Sequence, residues 1–300
     1  MKKLLLVVAG LLLFSSLYAQ EEIFDSLHIV APGAVLKEIG NQFSFTEGPA
    51  ADKKGNIYFT DQPNNTIWKY DVNGKLELFM DKAGRANGLY FDKKGNIIAC
   101  ADENNELWQI SPDKKVTVLL KGVPGKRHNG PNDLWIDAVG GIYFTDPLYV
   151  RPYWDRKEKE IEGEKVYYLA RGTETPLMVT DQIKKPNGII GTPDGKYLYV
   201  ADIGDSKTYR FTIEEAGKLG ERKLIAEMGS DGITLDTEGN IYLTGQGVTV
   251  FNKSGVRIAH IPVPSGWVGN VTFGGKKRNI LFITASKSVF TLDMETKGAQ

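Results

Sequence analysis

The chain of 300 residues has one cysteine, three histidines and no excess of either charge, with 37 basic against 37 acidic side chains. Each shortage excludes something. The lone Cys100, in the apolar run Ile97-Ile98-Ala99-Cys100, has no partner for an internal disulfide and reads as a small buried hydrophobe. Balanced charge creates no global field to attract nucleic acid or an anionic membrane, which leaves a small neutral or anionic ligand as the expected partner. Long apolar runs are absent after the first twenty residues. There, Met1-Lys2-Lys3 precede an apolar stretch from Leu4 to Phe14 and then Ser15 to Ala19. That stretch is shorter than the roughly 20 residues a membrane span needs, and no cysteine near the cut accepts a lipid. Residues 1–19 are therefore expected to be a signal peptide cleaved after Ala19, with residues 20–300 one domain that is periplasmic or secreted.

What the sequence has in quantity is a repeat. Six times an apolar strand, a turn and a second strand follow one another. The turns are Lys54-Gly55-Asn56, Lys94-Gly95-Asn96, Gly140-Gly141, Asp194-Gly195-Lys196, Glu238-Gly239-Asn240 and Lys277-Arg278-Asn279. The second strands include Ile57-Tyr58-Phe59-Thr60-Asp61 and Ile142-Tyr143-Phe144-Thr145-Asp146. Third and fourth strands follow most of these hairpins, as in Thr66 to Tyr70 and Leu76 to Phe79. Four strands in about 40 residues make one propeller blade, so the expected fold is all-β: a six-bladed β-propeller with four antiparallel strands per blade. The sixth repeat ends after its third strand, Ser288 to Leu292. An N-terminal strand near Val35 to Ile39 is expected to complete that last blade, closing the ring and removing a sheet edge.

Eight residues before each turn position stand Glu47, Asn87, Asn132, Asn187, Asp231 and Asn270. Equal offset in equivalent blades puts them at one level around one axis, each at the start of an innermost strand. Asn and Asp are common in turns, which accounts for two or three of the six but not for all. Oxygen donors without His or Cys suit a hard divalent cation, Ca²⁺ first, with Mg²⁺, Mn²⁺ or Zn²⁺ as alternatives. Glu47 and Asp231 would neutralise its charge, and Asn132 and Asn187 would add neutral oxygens.

The interval from Asn132 to Asn187 exceeds every other in the ring, and the surplus falls in residues 147–165, after a second strand. This stretch holds Tyr149, Arg151, Tyr153 and Trp154 and reads either as a substrate lid or as a solvated excursion. Arg127 and His128 precede Asn132 on the same rim. Arg127 is a candidate for substrate carboxylate or hydroxyls, His128 for a proton shuttle or a solvated loop residue. Trp267 either walls the pocket or packs between blades.

At these residues the chain resembles the gluconolactonase, senescence marker protein and luciferin-regenerating enzyme family. The resemblance covers nearly all of the chain after the leader. It is carried by Phe45-Thr46-Glu47-Gly48-Pro49, by Arg127 to Asp133 followed by Ile142 to Pro147, by Lys185-Pro186-Asn187-Gly188, and by Ser230-Asp231-Gly232, and is nearest the bacterial gluconolactonase branch. It implies a metal-dependent six-bladed propeller that opens a sugar-acid lactone. Glu47, Asn187 and Asp231 would bind the metal, Asn132 would contact substrate or metal, and Asp231 would be the base. Asn87 and Asn270 join Asn132 and Arg127 as the expected substrate contacts. One departure concerns substrate: animal members place an arginine two residues before the position of Asn132, where this chain has Gly130. Hydrolysis of a phosphotriester or other ester at the same metal, and a non-catalytic propeller binding a sugar acid or a protein, stay open at this stage.

Overall fold

The computed structural model describes residues 22–123 and 125–300, and the expected signal peptide lies outside the described residues. Two short strands come first, β1 (Phe24–Asp25) and β2 (Lys37–Gly40). Blade 1 follows as β3 (Thr46–Ala51), β4 (Ile57–Asp61), β5 (Thr66–Tyr70) and β6 (Leu76–Asp81), and blade 2 as β7 (Ala86–Phe91), β8 (Ile97–Ala101), β9 (Glu106–Ile110) and β10 (Val116–Leu120). Blade 3 is β11 (Leu134–Ile136), β12 (Ile142–Asp146), β13 (Lys165–Leu169) and β14 (Leu177–Thr180). Blade 4 is β15 (Pro186–Gly191), β16 (Tyr197–Asp202), β17 (Lys207–Glu215) and β18 (Lys218–Ala226). Blade 5 comprises β19 (Ile233–Leu235), β20 (Ile241–Gly245), β21 (Gly247–Phe251) and β22 (Arg257–Ile261), and blade 6 comprises β23 (Val268–Gly274), β24 (Ile280–Ala285) and β25 (Ser288–Asp293).

Each blade is an antiparallel meander, and the described residues contain no helix. The ring closes as the repeat count requires: β2 pairs with β25, Lys37 opposite Thr291 and Glu38 opposite Phe290. Strand β1, which the repeat pattern does not announce, adds a fifth strand to blade 5 beside β22, Phe24 opposite His260.

The second strands lack a polar face because neighbouring blades cover both of their sides. Strands β8, β12 and β20 are buried at every residue, while the outer strand β18 is mostly exposed. The core is accordingly a set of wedges between blades. Phe59 of blade 1 meets Phe282 of blade 6 with ring centroids 5.4 Å apart, and Tyr58 meets Phe91 of blade 2 at 5.2 Å. Phe59, Phe144, Phe282, Tyr143 and Tyr242 are fully buried. Each contributes on the order of 1.5–3 kcal/mol relative to exposure. Cys100 is one of these wedge residues, free and fully buried, and its burial pushes the thiol pKa up.

An aspartate organises the turn of most first hairpins. Asp52 accepts the amides of Lys54 and Asn56 through Oδ1 and the Asn56 side chain through Oδ2; Asp92 and Asp236 repeat the pattern. The carboxylate thereby satisfies turn amides that the ladder leaves unpaired.

Candidate functional site

Four of the six ring positions, Glu47, Asn87, Asn187 and Asn270, stand where the innermost strands are irregular. The pairing of first and second strands slips between Glu47 and Ala50, between Ala86 and Leu89, between Pro186 and Ile189 and between Val268 and Asn270. A bulge re-aims the side chain it carries, here toward the axis. Asn132 and Asp231 come just before the regular strands β11 and β19.

Glycine lets the inner strands close up. A Cβ on Gly48, whose φ is +45°, would lie 2.0 Å from the Asn87 carbonyl oxygen, and one on Gly232 would lie 2.0 Å from Asn270 Oδ1. Side chains from second strands complete the ring. Thr60 Oγ1 donates to the Asn87 carbonyl (3.1 Å), Thr145 Oγ1 to that of Asn187 (2.8 Å) and Thr244 Oγ1 to that of Gly269 (3.0 Å), each reaching into the next blade.

At the centre, Asn187 Nδ2 donates to Asp231 Oδ1 (2.6 Å) and to the Tyr149 hydroxyl (3.0 Å), and Trp267 Nε1 donates to Asp231 Oδ2 (2.6 Å). Both hydrogens of the Asn187 amide are therefore committed, and its Oδ1 is buried without a partner. Glu47 is buried, its Oε2 accepting the Gly48 amide (2.9 Å). Burial, then the Asp231 and Asp133 carboxylates, hold the Glu47 pKa well above the ordinary value. Burial also raises Asp231, to about 6, against the opposing bonds from Trp267 and Asn187 and the positive charge of Arg151.

This donor set fits a hard divalent ion. Two carboxylates that repel each other in a confined site and an amide oxygen with no partner are what a cation would neutralise and satisfy. Among the described residues no three His, Cys, Asp or Glu side chains gather to hold a metal, so the carboxylates would need amide oxygens to complete the ligand set.

The expected substrate residues divide. Asn87 and Asn132 are buried on the ring, the Asn132 carbonyl accepting the Gly88 amide (2.8 Å). Asn270 turns to the carboxylates: its side chain opposes the rise in the Glu47 pKa, and its Nδ2 lies 3.5 Å from Asp133 Oδ2 on the opposite blade. Arg127 is directed away from the channel. Its guanidinium is spent on Asp155 (2.7 Å) and Glu160 (2.7 Å) of the long loop. Arg151 of that loop is the cation whose charge reaches Asp231. His128 is neither solvated nor at the mouth. It is fully buried, Nδ1 3.2 Å from Asp146 Oδ2, its ring against Phe144 and Tyr167. Trp267 walls the pocket, with 38% of its surface exposed.

Asp133 is the site residue that sequence reasoning passed over. It follows Asn132 where Gly48, Gly88, Gly188 and Gly232 follow the ring residues of four other blades. Burial raises its pKa to about 7, opposed by bonds from the Leu134 amide and the Asn270 side chain. That break in the glycine column was the available signal. Below it lies a cavity of about 260 Å³, lined in part by Leu89, Ile189 and Val271 and reaching Gln300, whose Nε2 donates to the Gly191 carbonyl (2.9 Å).

Residues 45–287 match the SMP-30/Gluconolactonase/LRE-like region. A gluconolactonase of Zymomonas mobilis is 26% identical over 88% of this chain and 82% of its own length. Other curated lactonases, from Aspergillus oryzae and Staphylococcus aureus, match over less than half of theirs. A solved structure described as a candidate gluconolactonase is 26% identical and superposes with a TM-score of 0.86 over 93% of this chain and 100% of that one. A calcium-binding regucalcin of Agrobacterium tumefaciens, 18% identical, shares the fold at a TM-score of 0.73 over 88% and 95% of the two chains. With the ring geometry and a family match over most of its length, the chain belongs to the SMP-30/Gluconolactonase/LRE-like family.

Proposed function

We propose that the protein is a divalent-ion-dependent lactonase that opens a sugar-acid lactone, with Ca²⁺ as its ion, and that the leader over residues 1–19 delivers it outside the cytoplasm. The observation that carries the reading is the unpartnered Oδ1 of Asn187, buried beside Asp231 and on one ring with Glu47, in a chain similar to a gluconolactonase. A compartment rich in calcium agrees with a site of two carboxylates, since extracellular modules work with weak calcium affinities. The ion would be held by Glu47, Asn187 and Asp231, with Asn132 beside them. When bound, it supplies a Lewis acid for a carbonyl oxygen and charge to match the one that develops there.

The residues do the rest. Without the ion, burial raises the Asp231 carboxyl to about 6; ionised in the loaded site, it would take a proton from the attacking water. Its two oxygens are oriented by Asn187 and Trp267, which leaves the remaining lone pairs for that proton. The water oxygen bonds to the lactone carbonyl carbon, the ring C–O bond breaks, and the proton on Asp231 passes to the departing alkoxide. Asn132 would orient the ring oxygen. Tyr149 and Trp267 wall the place where the lactone sits, limiting competing water.

Asp231→Asn tests the assignment. Turnover of glucono-δ-lactone should fall by at least about 100-fold, the low end of general-base contributions, with the β-sheet circular dichroism unchanged. A folded variant with wild-type turnover would remove Asp231 from the role of base.

A further inference from the structure

The repeat gives one task to the aspartate that ends a second strand. In blades 1, 3 and 4, Asp61, Asp146 and Asp202 accept backbone amides from the segment leading into their own blade: Ser44 and Phe45, Asn129 and Gly130, Lys184 and Lys185. Asp102 of blade 2 is 2% exposed and bonded differently. Its Oδ2 accepts Gln62 Nε2 (3.1 Å), Arg151 Nε (2.9 Å) and the Tyr153 hydroxyl (2.6 Å), while its backbone carbonyl accepts Trp154 Nε1 (2.8 Å). The Arg85 guanidinium lies 4.4 Å from the Tyr153 ring centre. Arg151, Tyr153 and Trp154 belong to the long loop of blade 3, so a buried carboxylate of one blade holds the loop of the next.

The loop so held brings Tyr149 onto Asn187. The Tyr149 ring is packed under the Lys185 ammonium, 4.1 Å from its centre, and Lys185 Nζ also donates to the Leu148 carbonyl (3.0 Å). Asp231 alone decides which end of the Asn187 amide is nitrogen, because a carbonyl oxygen placed against a carboxylate oxygen would be repelled. One hydrogen bond does not fix the tilt of the amide plane. The second, to the Tyr149 hydroxyl, does, and with it the direction of the unpartnered Oδ1.

We infer that Tyr149 is a positioning residue, acting through the Asn187 amide, and that Asp102 is the anchor that keeps Tyr149 in place. The long loop is then a fixed wall of the site, tied down from another blade. The inference rests on Glu47, Asn187 and Asp231 being the ion's ligands.

The test is calorimetric titration of the chelated protein with Ca²⁺, comparing wild type, Tyr149→Phe, Asp102→Asn and the double variant, with urea unfolding of each ion-free form. Loss of a residue that orients a metal ligand costs about 10- to 100-fold in affinity. Tyr149→Phe is expected at the low end, about 10-fold weaker, with its urea midpoint unchanged. Asp102→Asn should weaken Ca²⁺ similarly, and the double variant should be no weaker than the worse single one, because both act on one restraint. Should Asp102→Asn fail to fold, Tyr153→Phe cuts the same tie from the loop side without changing charge and carries the same expectation. Wild-type affinity in Tyr149→Phe overturns the positioning role, and additive losses in the double variant overturn the anchoring. Hydrolysis of glucono-δ-lactone is followed in parallel. A wild type that binds Ca²⁺ without hydrolysing lactone counts against the proposed reaction alone, because the affinity comparison decides this inference; a wild type that binds no Ca²⁺ overturns both.

Discussion

Raising the pH should destabilise the ion-free protein, and Asp133 sets the size of the effect. Its carboxyl is held at about 7 by burial, against about 3.9 in an unfolded chain. Between those values the folded state binds more protons than the unfolded one, so the stability it contributes is complete below pH 4 and is lost as pH rises through 7. Three decades in the proton equilibrium are worth ~4 kcal/mol in full; the roughly two decades of that lost between pH 5 and pH 8 are worth ~2.6 kcal/mol, or roughly 5 °C in Tm at about 2 °C per kcal/mol for a chain of this size. Asp231, at about 6, and Glu47 act in the same direction. The surface carboxylates held low by their partners, such as Asp71, Asp155 and Glu160, titrate below pH 5 and act outside the window. The assay is thermal unfolding from pH 5 to pH 8 in chelator, repeated with Ca²⁺ and with Asp133→Asn. In chelator the Tm should fall by about 5 °C or more. Ca²⁺, which favours ionised Glu47 and Asp231, should flatten the fall, and Asp133→Asn should remove its own share, roughly 5 °C. A Tm that holds or rises toward pH 8 in chelator would show that these carboxyls are not held protonated by the fold.

Two substitutions test the ring itself. Gly48→Ala places a Cβ 2.0 Å from the Asn87 carbonyl oxygen at a left-handed φ. Overpacking and backbone strain together should cost about 3 kcal/mol, read as a lower urea midpoint, and an unchanged midpoint would show that blades 1 and 2 separate freely. Thr145→Val leaves the buried Asn187 carbonyl without its bond from the neighbouring blade. We expect a loss of about 2 kcal/mol, again by urea midpoint; a loss below about 0.5 kcal/mol, the usual range for a neutral surface change, would mean the bond is not holding blade 4 to blade 3.

The propeller was legible because its signals are local and repeated. A turn with Gly or Asn and an uninterrupted apolar second strand recur six times, and the missing strand of the last blade called for β2. Equal offsets also picked out Glu47, Asn187, Asp231 and Asn270, which interactions between blades bring near one another. What the sequence hid depends on contacts between residues distant in the chain. Nothing near His128 announces that Asp146 will draw it into the core, or that Arg127 will be consumed by Asp155 and Glu160. Strand β1 is two residues long, too short for any periodicity to appear. Asp133 was visible only as an interruption of the glycines that follow ring residues, and its meaning needed the bond from Asn270 across the channel.

Glu47, Asn187 and Asp231 are proposed to hold the divalent ion that makes this protein a lactonase. The most direct measurement is initial-rate hydrolysis of a panel of aldonolactones by the chelated mature protein, with and without added Ca²⁺, Mg²⁺, Mn²⁺ or Zn²⁺, against the spontaneous rate. We expect background rates after chelation and turnover restored by Ca²⁺. Full turnover in chelator, or none with any of the four ions in a protein that they stabilise against heat, would contradict it.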